Sequence, residues 1–289
     1  MTRPVITVTR KLPAEVEREL SRAFDARLNE LDAPLMPDAL QRALRESDGL
    51  VCTVSDRLDA AALGLGPLRC RILANYGVGF NHIDVVAARA LGITVTNTPG
   101  VLTEATADLA IALMLMVTRR AGEGERLVRA GQWTGWRPTQ LLGTSFSGKT
   151  LGIVGMGRIG QLTALRLQLG WEMNVIHHSR STALTTHDPR LATRRVELDE
   201  LMATADIVSL HVPATPATRH LIDARRLGLM KPTACLINTA RGDVVDEAAL
   251  AAALRGGRIA GAGLDVYERE PAVSAELLAL ENVVLLPHL

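Results

Sequence analysis

Residues 151–170 read LGIVGMGRIGQLTALRLQLG: four apolar residues, a turn with glycine at positions 155, 157 and 160, then a helical apolar pattern. A strand that passes into a helix through so short a turn has few ways to fold. Gly155 permits the tight turn, Gly157 lets the main chain approach an anion, and Gly160 lets the helix pack close against the strand. Arg158 and Ile159 then fall in the first helical turn, whose unpaired N–H groups attract a pyrophosphate. The segment is therefore read as a dinucleotide-binding βαβ start. A glycine-rich turn that merely packs is the alternative, and the agreement of strand, spacing and helix disfavours it.

The rest of the chain repeats the same theme, with apolar runs of four to six residues alternating with helical patterns, as in parallel α/β sheets. In the first hundred residues strands are expected at Val5–Thr9, Leu50–Val54, Arg71–Asn75 and Ile93–Thr96, with helices at Ala14–Leu28 and Ile83–Leu91. A second series covers Leu151–Val154, Met173–His177, Ile207–His211, Ala234–Asn238, Gly261–Asp265 and Val283–Leu286. Between the series lie an apolar helix, Ala107–Val117, and a stretch with Gly131, Trp133, Gly135, Trp136 and Pro138 that has neither period. That stretch reads as an arm, about residues 119–147. Large aromatic surfaces on an arm favour an interface, so a homodimer is expected. At 289 residues the chain is long for one hydrophobic core, and two domains follow. We expect two Rossmann-like or flavodoxin-like α/β domains, residues 1–98 for substrate and 99–289 for nucleotide, with the active site in the interdomain cleft.

Charge excludes some partners. Lys and Arg number 32 against 31 acidic residues, so no bulk field exists to hold nucleic acid or an anionic membrane. Cys52, Cys70 and Cys235 sit apart in apolar runs and read as buried packing residues, not as disulfides or metal ligands. The amino terminus lacks a signal-peptide pattern, and Ala107–Val117 is about half the roughly 20 residues of a membrane span. A cytoplasmic protein is expected.

At the end of the strand after the glycine turn, where an acidic residue would accept hydrogen bonds from an adenosine ribose, the chain reads His177-His178-Ser179-Arg180. No carboxylate is available there. Ser179 can donate to a 2′-phosphate and Arg180 can fork it, which shifts the expected cofactor to NADP(H), with NAD(H) as the alternative. His177 and His178 read as surface histidines at a strand end, and no metal is expected.

A second group of polar residues follows the late strands: Asn238-Thr239-Ala240-Arg241-Gly242, then GLDVYEREP at 263–271, then Leu286-Pro287-His288. Open α/β sheets bind ligands at the carboxyl ends of their strands, so Arg241, Glu270 and His288 belong on one edge. Together with NYGVGFNHIDV at 75–85 and NTPGVLTEATADLA at 97–110, these segments resemble the D-isomer-specific 2-hydroxyacid dehydrogenases over nearly the whole chain. GLVCTVSDRLD at 49–59, WTGWRP at 133–138 and the HHSR strand end resemble the glyoxylate and hydroxypyruvate reductase branch.

The resemblance implies reduction of a small 2-oxo acid, with Arg241, Glu270 and His288 as the catalytic Arg, Glu and His. A carboxylate beside an imidazole favours its protonated form, so Glu270 is expected to keep His288 a proton donor. Arg241 would grip the substrate carboxylate, with the N–H groups of Val78 and Gly79 on its other oxygen. The resemblance further implies cofactor contacts at Thr106, His211, Val212, Pro213, Thr239, Ala240 and Asp265, and Trp136 at the partner's substrate site. His211 as a packed strand-end residue is equally open. Family members continue past the catalytic His with a Gly-Ser pair and a helix returning to the first domain, whereas this sequence stops at Leu289. Two alternatives stay open: an NAD-dependent enzyme resembling phosphoglycerate dehydrogenase, and a nonenzymatic NAD(P)-sensing module. The former predicts a basic residue at Thr53–Ser55, where the chain offers none.

Overall fold

The computed structural model describes residues 2–64, 66–180 and 188–289. It divides into two units, Met1–Leu102 and Thr103–Leu289. Each is built of the parallel strands that the apolar runs call for.

Unit 1 contains β1 (Val5–Val8), α1 (Ala14–Ala23), β2 (Asp25–Arg27), α2 (Pro37–Glu46), β3 (Gly49–Cys52), α3 (Ala60–Leu63), β4 (Ile72–Asn75), α4 (Val85–Ala90) and β5 (Thr94–Thr96). Its sheet has the order β2-β1-β3-β4-β5, every neighbour parallel, which is the flavodoxin-like winding. Asp59 and Asp84 cap α3 and α4 by accepting from the N–H groups of Ala62 and Ala87, 2.9 Å each, which satisfies donors that the helices leave open. Leu44, Leu50, Leu58, Leu63 and Leu73 form the centre of this core.

One expectation fails here. The helix expected over Ala14–Leu28 stops at Ala23, and Asp25–Arg27 pairs with Val5–Thr7 as an edge strand. Its charged ends, Asp25 and Arg27, hid a strand that sequence patterning could not show, because an edge strand tolerates charge and is often very short.

Unit 2 begins with α5 (Thr103–Thr118) and α6 (Ala121–Arg129), then β6 (Thr150–Val154), α7 (Arg158–Trp171), β7 (Asn174–His178), β8 (Arg194–Arg195), α8 (Leu198–Thr204) and β9 (Ile207–Leu210). It closes with α9 (Ala224–Leu229), β10 (Cys235–Asn238), α10 (Glu247–Arg255), β11 (Gly261–Leu264), α11 (Ala275–Leu278) and β12 (Val283–Leu285). The sheet order is β12-β11-β10-β9-β6-β7-β8, again all parallel. Strand order reverses at β6, between β7 and β9, and that reversal makes a crevice at the carboxyl ends. Every residue of β9, β10 and β11 is buried, as expected of parallel strands covered on both faces.

Helix α5 buries Ala107, Ala110, Ile111, Leu113, Met114, Val117 and Thr118, the spacing of one broad helical face. It lies so close to β11 that a Cβ on Gly261 would come 2.7 Å from Val117 Cγ1, and one on Gly263 would come 3.0 Å from Leu113 Cβ. The small residues of GAGL are what admit the helix. Among the described residues, no helix is long and apolar enough to cross a membrane.

Two further features of unit 2 depart from the sequence reading. The arm at 119–147 is not wholly irregular, because α6 occupies Ala121–Arg129. Its glycines at 122 and 124 obscured the helical pattern. Strand β8 was also missed, having only two residues, both arginine. All three cysteines are buried free thiols, and Trp133 and Trp136 are 55% and 81% exposed.

Candidate functional site

In the glycine turn the three glycines have three separate reasons to be glycine. Gly155 sits at φ +99°, and a Cβ there would come 2.5 Å from the carbonyl oxygen of His211. A side chain at Gly160 would collide with the carbonyl of Gly155, so α7 starts hard against the turn. Gly157, by contrast, faces open space, with nothing within 4 Å of an added Cβ. It is the N-cap of α7, and no side chain caps that helix. The uncapped N–H groups and the open approach at Gly157 are what a pyrophosphate requires. Gln161, not singled out from the sequence, braces the turn by donating from Nε2 to the Met156 carbonyl at 3.0 Å.

The ends of β6, β7 and β9 are tied together beyond the strands. Gly155 N–H donates to His178 O at 2.8 Å and His211 N–H to Val154 O at 2.7 Å. His177 is buried, with Nδ1 3.0 Å from Thr193 Oγ1, which corrects the expectation of a surface histidine. It is buried with Val175 and Ile176 before it, because β7 lies in a parallel sheet, whose strands are covered on both faces. Burial, then the charges of Arg195 and His178, lower its pKa. His178 is half-buried, with Nδ1 3.1 Å from Val196 O. Ser179 is half-buried and Arg180 exposed. Of the adjoining stretch, residues 181–187 lie outside the described residues.

His211 follows β9 with Nε2 2.9 Å from Ser209 Oγ. Burial pushes its pKa down to about 4, so it is a neutral imidazole at pH 7. At the end of β10 the Asn238 side chain shapes the next turn, accepting from Ala240 N–H at 3.0 Å and donating to Arg241 O at 2.9 Å. Thr239 Oγ1, within that turn, is buried and has no hydrogen-bond partner among the described residues. A buried hydroxyl left this way calls for a ligand or water. Together with the cradle at Gly157 it fits a bound dinucleotide.

Arg241, Glu270 and His288 follow the adjacent strands β10, β11 and β12, so the sheet delivers them to one edge. Gly242 is the reason that the two nearer loops can cross: a Cβ there would overlap the Tyr267 carbonyl and the Glu268 nitrogen. His288 Nδ1 lies 2.7 Å from Glu270 Oε2, and Glu270 Oε1 accepts from Tyr267 N–H at 3.0 Å. Burial alone would raise the Glu270 pKa. The hydrogen bonds from His288 and Tyr267 and the charges of His288 and Arg241 outweigh it, so the carboxyl is held below its ordinary value. Arg241 is half-buried and donates from Nη1 to Ala240 O at 2.6 Å. Burial lowers its pKa and Glu270 opposes this, but a guanidinium remains a cation throughout. Asp265 is buried, its carboxyl raised chiefly by burial while accepting from Leu289 N–H at 2.9 Å.

Unit 1 carries the loop of Val78 and Gly79 at the end of β4. Asn75 Nδ2 donates to the carbonyls of Gly77 and Gly79, 3.0 and 2.9 Å, and Asn97 Nδ2 donates to Val78 O at 2.9 Å. Thr98 N–H adds a second bond to Gly77 O. In a trans peptide the N–H points opposite to the preceding C=O, so these amides turn the N–H groups of Val78 and Gly79 outward together. The roles of Asn75 and Asn97 were missed from sequence; an Asn two and four residues before a glycine was the available signal.

A doubly wound parallel sheet with a glycine turn at its switch point defines unit 2 as a dinucleotide-binding domain, and the histidine hydrogen-bonded to a carboxylate on its edge is an arrangement suited to proton transfer. A family model described as "D-isomer specific 2-hydroxyacid dehydrogenase, NAD binding domain" matches residues 111–289. The chain is 45% identical over 292 residues to a glyoxylate reductase of Thermococcus litoralis, covering 99% of this chain and 87% of that relative. It is likewise 45% identical to the glyoxylate reductase of Aeropyrum pernix, over 100% of this chain and 87% of the other. Among solved structures, the NADPH-dependent glyoxylate/hydroxypyruvate reductase of Sinorhizobium meliloti, in complex with NADP and malonate, superposes with a TM-score of 0.85. It is 37% identical, covering 99% of this chain and 86% of that one. The chain belongs to the D-isomer-specific 2-hydroxyacid dehydrogenases.

Proposed function

We propose that this enzyme reduces glyoxylate or hydroxypyruvate to the D-2-hydroxy acid with NADPH. The observation that carries the proposal is the 2.7 Å bond between Glu270 and His288 on the sheet edge that also holds Arg241. The names of the relatives supply the substrate class.

Bound NADPH supplies the hydride for the substrate carbonyl carbon. His288 commits Nδ1 to Glu270, which leaves Nε2 to give its proton to the carbonyl oxygen. Glu270, its carboxyl held below its ordinary value, accepts from Nδ1 and orients the ring. Arg241 forks the substrate carboxylate and steadies the charge that gathers on the reacting oxygen. The N–H groups of Val78 and Gly79 hold the second carboxylate oxygen, making residues 1–98 the substrate domain and 99–289 the nucleotide domain. Gly155, Gly157, Arg158, Ile159 and Gly160 receive the pyrophosphate. Thr106, His211, Val212, Pro213, Thr239, Ala240 and Asp265 line the rest of the dinucleotide. Ser179 and Arg180, with no carboxylate at the end of β7, favour NADPH over NADH. The arm with its exposed tryptophans closes a homodimer, Trp136 reaching the partner's substrate. Three buried thiols suit a reducing, cytoplasmic compartment.

Loss of the near-ultraviolet band of NADPH on addition of glyoxylate or hydroxypyruvate tests the reading. Binding of NADPH without turnover of any 2-oxo acid would refute it in favour of a sensing module. A higher specificity constant with NADH would refute the cofactor assignment alone.

A further inference from the structure

We propose that Arg195, on strand β8, is a second cation for the adenosine 2′-phosphate and contributes to cofactor choice alongside Arg180. The inference rests on the NADPH reading above and deepens it.

Arg195 is set in register opposite His177 by the parallel pairing of β8 with β7. From there its guanidinium reaches forward to the strand end, with Nε and Nη2 each 3.1 Å from the carbonyl oxygen of Ser179. That anchor uses two of five N–H donors and fixes the plane of the fork beside the residue expected to meet the phosphate. Its neighbour Arg194 points the other way, as strand alternation requires, and pairs with Glu200 at 2.9 Å. Among the described residues, no carboxylate pairs with Arg195 or Arg180.

Among the described residues, two cations thus stand at the end of β7 without a paired carboxylate, and Arg195 is already felt there as one cause of the lowered pKa of His177. An exposed pair between an arginine and a carboxylate is worth little, whereas a phosphate dianion accepts from several N–H groups at once. A guanidinium already held by Ser179 O loses less freedom on binding than a free one. A purely structural role, tying down the last carbonyl of β7, is the alternative that the experiment must separate.

The test is calorimetric titration of the full chain with adenosine 5′-monophosphate and with adenosine 2′,5′-bisphosphate, which differ only in the phosphate concerned. The ratio of their affinities is the readout, and no catalysis is involved. The wild-type chain is expected to favour the bisphosphate. Arg195→Ala should lower that ratio about tenfold, the effect of one charge-assisted contact; Arg195→Lys should keep part of it, and Arg180→Ala should act independently. An unchanged ratio in Arg195→Ala, beside a wild-type preference that Arg180→Ala abolishes, would overturn the role of Arg195 and leave the NADPH reading standing. Equal weakening of both ligands would mean that Arg195 only supports the strand end, and overturns the proposal too. Absence of any preference in the wild-type chain would overturn the cofactor reading itself, and this inference with it.

Discussion

Gly155 and Gly157 are two residues apart, and the same substitution should break different things at each. At Gly155, alanine would have to hold φ +99° and place its Cβ 2.7 Å from the carbonyl carbon of His211, against an ordinary contact of 3.4 Å or more. The ends of β6 and β9 must therefore part by roughly 0.7 Å at a point tied by the 2.7 Å bond from His211 N–H to Val154 O. Strain of this backbone kind costs about 1 to 3 kcal/mol and overpacking about 1 to 3 more. For a domain of this size the sum lowers the melting temperature by on the order of 10 °C. At Gly157 the added Cβ meets nothing within 4 Å and φ is −79°, so the fold should be unharmed. The methyl would instead occupy the approach of the pyrophosphate, and loss of one charge-assisted contact weakens the dinucleotide about tenfold to 150-fold. Thermal melting and titration with NADPH on both variants decide the matter. Equal destabilisation by the two substitutions, or wild-type affinity in Gly157→Ala, would refute the division of roles.

His288→Ala should lower kcat by about a hundredfold or more with NADPH affinity held, as steady-state rates and titration would show. Glu270→Gln removes the negative charge beside the proton donor, so the pH–rate profile for reduction should move toward acid; an unmoved profile would separate Glu270 from the mechanism. Burial holds the folded pKa of His211 near 4, below the unfolded value of about 6.5, so the unfolded chain binds more protons between them. Stability is then complete above about pH 6.5 and falls as pH drops toward 4, by up to ~3 kcal/mol; denaturant melts of His211→Gln should show a flatter decline. Trp136→Ala should weaken the proposed dimer by roughly 2 kcal/mol or more, about thirtyfold in dissociation constant, read by sedimentation.

The central strands were legible because they are buried on both faces, and continuous apolar runs such as IVSL and CLIN leave little else to expect. The glycine turn was legible because each glycine answers a different steric demand. Strand β2 and strand β8 were not, since Asp25, Arg27, Arg194 and Arg195 carry charge at sheet edges, where burial imposes no pattern. The Glu270–His288 pairing was expected through the family resemblance and not from spacing: eighteen residues separate the two, and the adjacency of β11 and β12 brings them together. Family likeness named the residues, while the sheet order supplies the reason that they meet. Arg195 had no sequence signal at all, because its partner is a main-chain carbonyl sixteen residues away.

The loop at Val78 and Gly79 has its own consequence for how such a protein can vary. Its outward N–H groups belong to the main chain, so replacing the Val78 side chain leaves the donor in place. What aims the donors lies elsewhere, in Asn75 and in Asn97, the latter nineteen residues from the carbonyl that it holds. Mutational sensitivity is therefore displaced from the atoms that face outward to two amides behind them. The exposed side chains of Val54, Tyr76 and Phe80 around the loop are left free to drift, so the surroundings can diversify while the pair of donors keeps its aim.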